Sequence, residues 1–345
     1  AAGDHEARRR TCLGRRHEAG PRLVERLPRA RDASGARRAP RLITGNVALC
    51  EELEHALASL HGATGARLFN SGYAANTGVI PILAEKGDVV FSDELNHASI
   101  IDGCRLSRAQ IVVYRHNDLE HLSELLAAHP GRRRLVVTES IFSMDGDLSP
   151  LGTLRELTAA AGAILMVDDA HAVGAVGDGR GLGWSAGADV VIGTLGKAFG
   201  AAGAYVLGTA ALVDVLWNRA RSLVFSTGLP VPALAAGLAA VRLVSSEEGT
   251  TLRERLERHR RTIDSASHIV PFVVGDDRRA VAAMNRLMEA GLLVQAIRPP
   301  TVPVGTSRLR LSLSAALTDA DLGQIMGALD ALEAEGWFVP RGTSR

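Results

Sequence analysis

From about residue 50 onward, short β-rich runs alternate with amphipathic helical stretches. That alternation leaves few architectures open. Strands separated by helices pair side by side in parallel, and a parallel sheet must be covered on both faces. The strand candidates are 66–69, 88–91, 111–114, 135–138, 164–168, 190–194 and 204–207. Leu119 to Ala128 and Leu151 to Ala160 carry helical periodicity between them, the second with Ser149 placed as N-cap and Pro150 as first helical residue. After Pro230 the texture changes to one long helical stretch, 233–261. A smaller mixed unit follows, with strands 269–274 and 308–313 flanking a helix over 279–290 and Thr318 opening a last helix. The expected fold is α/β: a large domain with a mostly parallel seven-stranded sheet covered by helices, plus a smaller α+β C-terminal domain. The expected division is an Arg-rich segment over 1–45, a large domain over 46–232 and a small domain over 233–345.

Composition decides which chemistry such a fold can carry. Of 39 basic residues only two are lysine, Lys86 and Lys197. Arginine keeps its proton in proteins, so a reaction that needs a nucleophilic amine has two candidates. Lys86 lies between Glu85 and Asp88 in a turn and reads as a solvated charge.

Residues 1–41 hold twelve Arg against five acidic residues, +7, which leaves −6 for the rest of a chain of net charge +1. The leader lacks interleaved aromatics and its positive run is broken by Asp4, Glu6, Glu18, Glu25 and Asp32, so neither nucleic acid nor a membrane is expected as partner. No apolar run reaches the roughly 18–20 residues of a membrane span. A cytoplasmic protein is expected. Cys12, Cys50 and Cys104 have neither metal-site nor disulfide spacing, and no metal is expected.

Ligands of open α/β sheets gather beyond the carboxyl ends of strands. The run Ile164-Leu-Met-Val-Asp168-Asp169-Ala170-His171 puts two carboxylates and an imidazole at one such end, and Thr194-Leu-Gly-Lys197 follows the next strand. An acid and an amine would then meet in one crevice. Pyridoxal phosphate chemistry needs that pair: a carboxylate to keep the ring nitrogen protonated, and a lysine to hold the aldehyde. Alone, Asp168 reads as a cap or turn residue, and it is Lys197 at the adjacent end that reverses the balance. Asn70-Ser-Gly-Tyr-Ala-Ala-Asn76 is a glycine turn leading into a helix whose free N–H groups can receive a phosphate. The glycine-rich stretch 177–183 has neither P-loop nor dinucleotide spacing and reads as a flexible loop.

Taken together, Phe69-Asn-Ser-Gly-Tyr-Ala-Ala-Asn76, Asp93-Glu-Leu-Asn-His-Ala-Ser99, Thr138-Glu-Ser-Ile-Phe-Ser-Met-Asp-Gly-Asp147, Val167-Asp-Asp-Ala-His171, Gly193-Thr-Leu-Gly-Lys-Ala-Phe-Gly200 and Phe225-Ser-Thr227 resemble, in order, the α-oxoamine synthases, fold-type-I pyridoxal phosphate enzymes. The resemblance spans about residues 41–335. It implies that Lys197 carries the cofactor, that Asp168 pairs with its ring nitrogen, that His171 and Ser143 hold its phenolic oxygen, and that His97 stacks on the ring and meets substrate. It further implies phosphate binding by Gly72, Tyr73 and Thr194. Ser226 and Thr227 would reach the partner's site in a homodimer with shared active sites. The run Ala296 to Leu311 resembles the branch that joins L-alanine to a pimeloyl thioester, carried by coenzyme A or an acyl carrier protein, in biotin synthesis. There Arg310 would clamp the amino acid carboxylate and Thr301 would touch substrate. Sister activities that use glycine or serine, and a catalytically silent homologue, remain open alternatives. The family's Asn-Tyr-Leu-Gly-like stretch and glycine-rich run are not matched in the first 40 residues, and the connection 261–268 is short.

Overall fold

Residues 39–339 are described by the structure, a computed structural model. Most of the Arg-rich leader lies outside them. A short π-helical turn, Arg41–Gly45, leads to α1 (Ala48–His61), β1 (Gly65–Phe69), α2 (Gly72–Leu83), β2 (Val89–Asp93), α3 (Ala98–Ser107), β3 (Gln110–Tyr114), α4 (Leu119–Ala128), β4 (Arg134–Glu139), α5 (Leu151–Ala160), β5 (Ile164–Asp168), β6 (Val190–Thr194) and β7 (Ala204–Gly208). Then come α6 (Ala210–Arg219), α7 (Arg221–Val224), α8 (Val231–Val244), α9 (Glu247–Ile263), β8 (Ile269–Gly275), α10 (Asp277–Glu289), β9 (Gln295–Ile297), β10 (Ser307–Ser312) and α11 (Asp319–Ala334).

The first seven strands form one sheet in the order β1-β7-β6-β5-β4-β2-β3. Only β7 runs antiparallel to its neighbours β1 and β6, and every other pairing is parallel. Alternation along the strands divides the interior into two cores: Leu165 and Val167 of β5 pack on one face, Met166 on the other. The second sheet, β8-β10-β9, is antiparallel and packs its own core through Phe272, Leu309, Leu287 and Leu329.

Three local differences from the sequence reading have physical causes. The single helix expected over 233–261 is two, because α8 ends at Ser245 and Ser246 caps α9 by accepting from the Gly249 N–H. Pro150 rather than Ser149 occupies the N-cap of α5, since the Ser149 hydroxyl is engaged by Thr138 and Asn117 instead. The stretch 177–183 is pinned rather than flexible. Asp169 Oδ2 accepts from the Leu182 and Gly183 N–H groups, and at Gly181, φ +76°, a Cβ would strike that carboxylate. As expected, Thr318 caps α11, closing a capping box with Asp321.

Candidate active site

The parallel order of β4, β5 and β6 brings their carboxyl ends together. Glu139 ends β4, Asp168 lies opposite it at the end of β5, and β6 beside them delivers the turn that carries Lys197. Asp168 is 6% exposed, and both its oxygens are held: Oδ1 by the Ala170 N–H at 3.0 Å and Oδ2 by Asn76 Nδ2 at 2.7 Å. The strand's alternation turns Asp169 away to the glycine stretch, while Asp168 faces Asn76 of α2.

Lys197 Nζ lies 2.8 Å from His171 Nε2. Both line a cavity of about 490 Å³, shared with Arg310, His268, Arg253 and apolar residues of α8 and α9. Lys197 is accessible through this cavity. The surrounding protein still desolvates its ammonium and lowers its pKa, Arg310 adds to the lowering, and Asp168 and Glu139 oppose it. Burial, reinforced by Lys197 and Arg310, drives the His171 pKa down to about 2, so this imidazole is neutral. Burial and the same two cations bring His268 to about 4. Arg310 projects from β10, where its Nε donates to the Ser143 carbonyl at 2.5 Å and its Nη1 to Ser312 Oγ at 2.9 Å. Burial lowers its pKa as well.

The other sequence candidates fall into two groups. His97 caps α3, its Nδ1 2.7 Å from Ser99 Oγ, and its backbone N–H donates to Glu139 Oε1 at 2.6 Å. Gly72 and Tyr73 open α2 behind the Ser71 cap, where first-turn N–H groups have no acceptor within the helix. The Tyr73 hydroxyl donates to Asp102 at 2.6 Å. Thr194 ends β6, donates from Oγ1 to the Gly203 carbonyl and accepts from the Gly196 N–H. Ser226 and Thr227 sit beside the turn before α2, held by Asn70 Nδ2 through Ser226 Oγ at 2.6 Å and the Thr227 carbonyl at 2.7 Å. Thr301 stands apart: it closes a turn on the Arg298 carbonyl, and it is absent from the cavity lining. Ser143 meets Arg310 through its carbonyl rather than its hydroxyl.

Sequence reasoning missed Glu139, Asn76 and His268. Glu139 ends a strand as Asp168 does, and that position was the available signal. Burial, and next the charge of Asp168, raise its pKa to about 8 against the pull of the His97 N–H bond. His268 enters from the connection before β8, which carried no pattern to mark it.

Among the described residues, no cluster of His, Cys, Asp and Glu could hold a metal ion, and no helix is long and apolar enough to cross a membrane.

The model of the Aminotransferase class I and II family matches residues 16–329. A curated relative from Geobacter sulfurreducens, 8-amino-7-oxononanoate synthase, is 49% identical over 330 residues, 90% of this chain and 84% of its own. Among solved structures, a variant serine palmitoyltransferase from S. paucimobilis with a bound PLP–myriocin aldimine is 32% identical with a TM-score of 0.83, covering 92% of this chain and 85% of that one. The 8-amino-7-oxononanoate synthase from Francisella tularensis is 29% identical with a TM-score of 0.71, covering 84% and 88%.

Pyridoxal phosphate is therefore the cofactor, and the donor set fits it. An amine of lowered pKa, a carboxylate fixed by two N–H donors, and first-turn amides with open space in front of Gly72 stand at one end of the sheet. The chain belongs to the Aminotransferase class I and II family with the fold-type-I architecture, and within it to the α-oxoamine synthases, as a pyridoxal phosphate-dependent acyltransferase of the 8-amino-7-oxononanoate synthase type.

Proposed function

We propose that this enzyme condenses L-alanine with a pimeloyl thioester, releasing carbon dioxide and the free thiol carrier, to give 8-amino-7-oxononanoate for biotin synthesis. The observation that carries the reading is the shared cavity. Lys197, His171 and Arg310 line one space just beyond the strand that ends at Asp168, so an amino acid held by its carboxylate would have its α-carbon near the Lys197 amine.

Bound at this site, pyridoxal phosphate supplies an electron-poor ring that takes up negative charge from a substrate carbon. Lys197 would hold its aldehyde, and the Lys197 amine, when free, would be the base for the Cα proton. The lowered pKa leaves more of that amine uncharged than an ordinary lysine would have. Asp168 would keep the ring nitrogen protonated, and its two N–H donors hold the carboxylate in place for that without reorganisation. Neutral His171, with Ser143, serves the phenolic oxygen. His97 would stack on the ring and contact substrate. Gly72, Tyr73 and Thr194 receive the phosphate, and Ser226 and Thr227 serve the partner's site in a homodimer. Arg310 would grip the alanine carboxylate, for which a planar guanidinium suits a bidentate contact, and Thr301 would contact substrate. The acyl carrier is coenzyme A or an acyl carrier protein.

The test mixes purified protein with pyridoxal phosphate and, separately, alanine, glycine or serine, each with pimeloyl, acetyl, succinyl or palmitoyl thioester, and reads the product by mass spectrometry. Alanine alone should give 8-amino-7-oxononanoate. Product from glycine or serine with a different thioester would replace this reading with a sister activity.

A further inference from the structure

Asn76 is wholly buried in α2, and its amide joins two groups that the catalytic reading treats separately. Its Nδ2 donates to Asp168 Oδ2 at 2.7 Å and to Ser99 Oγ at 3.0 Å, and Ser99 Oγ lies 2.7 Å from His97 Nδ1. The direction of this chain is forced. An ionised carboxylate only accepts, so the amide must turn its nitrogen to Asp168, and this leaves Oδ1 buried without a partner. The second amide proton goes to Ser99 Oγ, which frees the Ser99 hydroxyl proton for His97. The Ser99 backbone N–H also points to His97 Nδ1, at 3.2 Å. Two donors on Nδ1 require it to be the acceptor nitrogen, which puts the ring proton on Nε2.

We propose that Asn76 is a positioning residue that fixes both the orientation of the Asp168 carboxylate and, through Ser99, the Nε2–H tautomer of His97. His97 then offers a donor and suits an acceptor oxygen on the substrate, a thioester carbonyl or a carboxylate, rather than an amine. The inference rests on the proposed roles of Asp168 and His97, while the tautomer itself does not depend on them.

The experiment reads histidine ring nitrogens by long-range ¹H–¹⁵N correlation in full-length protein, with and without cofactor, using His97→Gln to assign the signal. Wild type should show Nδ1 unprotonated and Nε2 protonated in both states. Ser99→Ala keeps only the backbone N–H donor on Nδ1, so it should lower the share of this tautomer while leaving cofactor affinity within about twofold, and Ser99→Thr should restore it. Asn76→Ala should disturb the tautomer and also weaken pyridoxal phosphate binding about tenfold, because a donor to a charged group is lost. A merely structural asparagine would lower thermal stability and leave the tautomer unmoved. If Asn76→Ala does not fold, wild type and the Ser99 pair still decide. An Nδ1–H tautomer in wild type, or a tautomer indifferent to both Ser99→Ala and Asn76→Ala, overturns the proposal. Absence of product in the condensation assay would instead bear on the proposed function alone.

Discussion

Replacing His116 with Gln should cost stability at neutral pH and lose that cost as the solution becomes alkaline. The imidazole is clamped between two carboxylates, Nδ1 2.9 Å from Asp93 Oδ1 and Nε2 2.6 Å from Asp147 Oδ2, with its edge against Phe142. Burial works against its charge, but the bonds to Asp147 and Asp93 outweigh it and lift the pKa to about 10 from 6.5. A raised histidine pKa stabilises the fold fully below 6.5, and the stabilisation drains away as pH climbs through 10. At about 1.4 kcal/mol per unit the ceiling is about 5 kcal/mol. Asp147 is 37% exposed and solvent screens its half of the clamp, so about 2–3 kcal/mol is expected. Urea midpoints of wild type and His116→Gln from pH 6 to pH 9.5 measure this, with a gap widest at pH 6 and mostly closed at pH 9.5. The clamp also reaches the site. Asp147 belongs to the loop fastened by the Ile141–Leu148 bridge, and that loop's Ser143 carbonyl holds Arg310. The Michaelis constant for the amino acid should therefore rise with little change in turnover. A stability gap constant across this pH range would refute the argument.

Other outcomes follow from single contacts. Lys197→Ala should abolish both the visible absorption of bound cofactor and turnover, and retained turnover would remove the lysine from the mechanism. Arg310→Lys keeps the charge but loses the planar fork, so alanine should bind roughly tenfold more weakly by steady-state kinetics while a stable fold persists. Gly103→Ala would place a Cβ 2.8 Å from the Asn76 carbonyl and prise α3 from α2. A loss of about 1–3 kcal/mol in urea unfolding is expected, with weaker cofactor binding because Asn76 moves.

The order of elements was legible because it is local. The central strands announce themselves by runs rich in Val and Ile, as in Val89–Asp93, Gln110–Tyr114 and Val190–Thr194, and Leu119–Ala128 and Leu151–Ala160 stand where their periodicity placed them. Lys197 and Asp168 were legible for a related reason: residues just after strands of a parallel sheet converge by topology alone. What stayed hidden depends on side chains from distant elements choosing one another. Ser149 has the chemistry of an N-cap, yet Asn117 and Thr138 compete for its hydroxyl and win. The break between α8 and α9 was written in Ser245-Ser246 but masked by helical periodicity on both sides. Asn76 looked like one more residue of a glycine-turn motif, and nothing in its neighbourhood along the chain foretells Asp168 ninety-two positions later.

The electrostatics of the cavity bind these pieces into one argument. Lys197 and Arg310 share a lining, and their close polar partners are a neutral imidazole, a backbone carbonyl and a serine hydroxyl rather than carboxylates. The most deeply buried arginines are treated differently: Arg41 and Arg67 share Glu54, and Arg308 is paired with Asp145. A half-buried guanidinium with no carboxylate bonded to it, as at Arg310, costs stability, and a fold keeps such an arrangement where a ligand completes it. The same field, together with burial, keeps His171 and His268 uncharged, so neither competes with the two cations for an incoming anion. An amino acid carboxylate meets that condition on the proposed reading. By this reasoning Arg310→Met should make the protein without substrate more stable while weakening alanine binding, and a variant less stable than wild type by thermal unfolding would show that the arginine is held for structure instead.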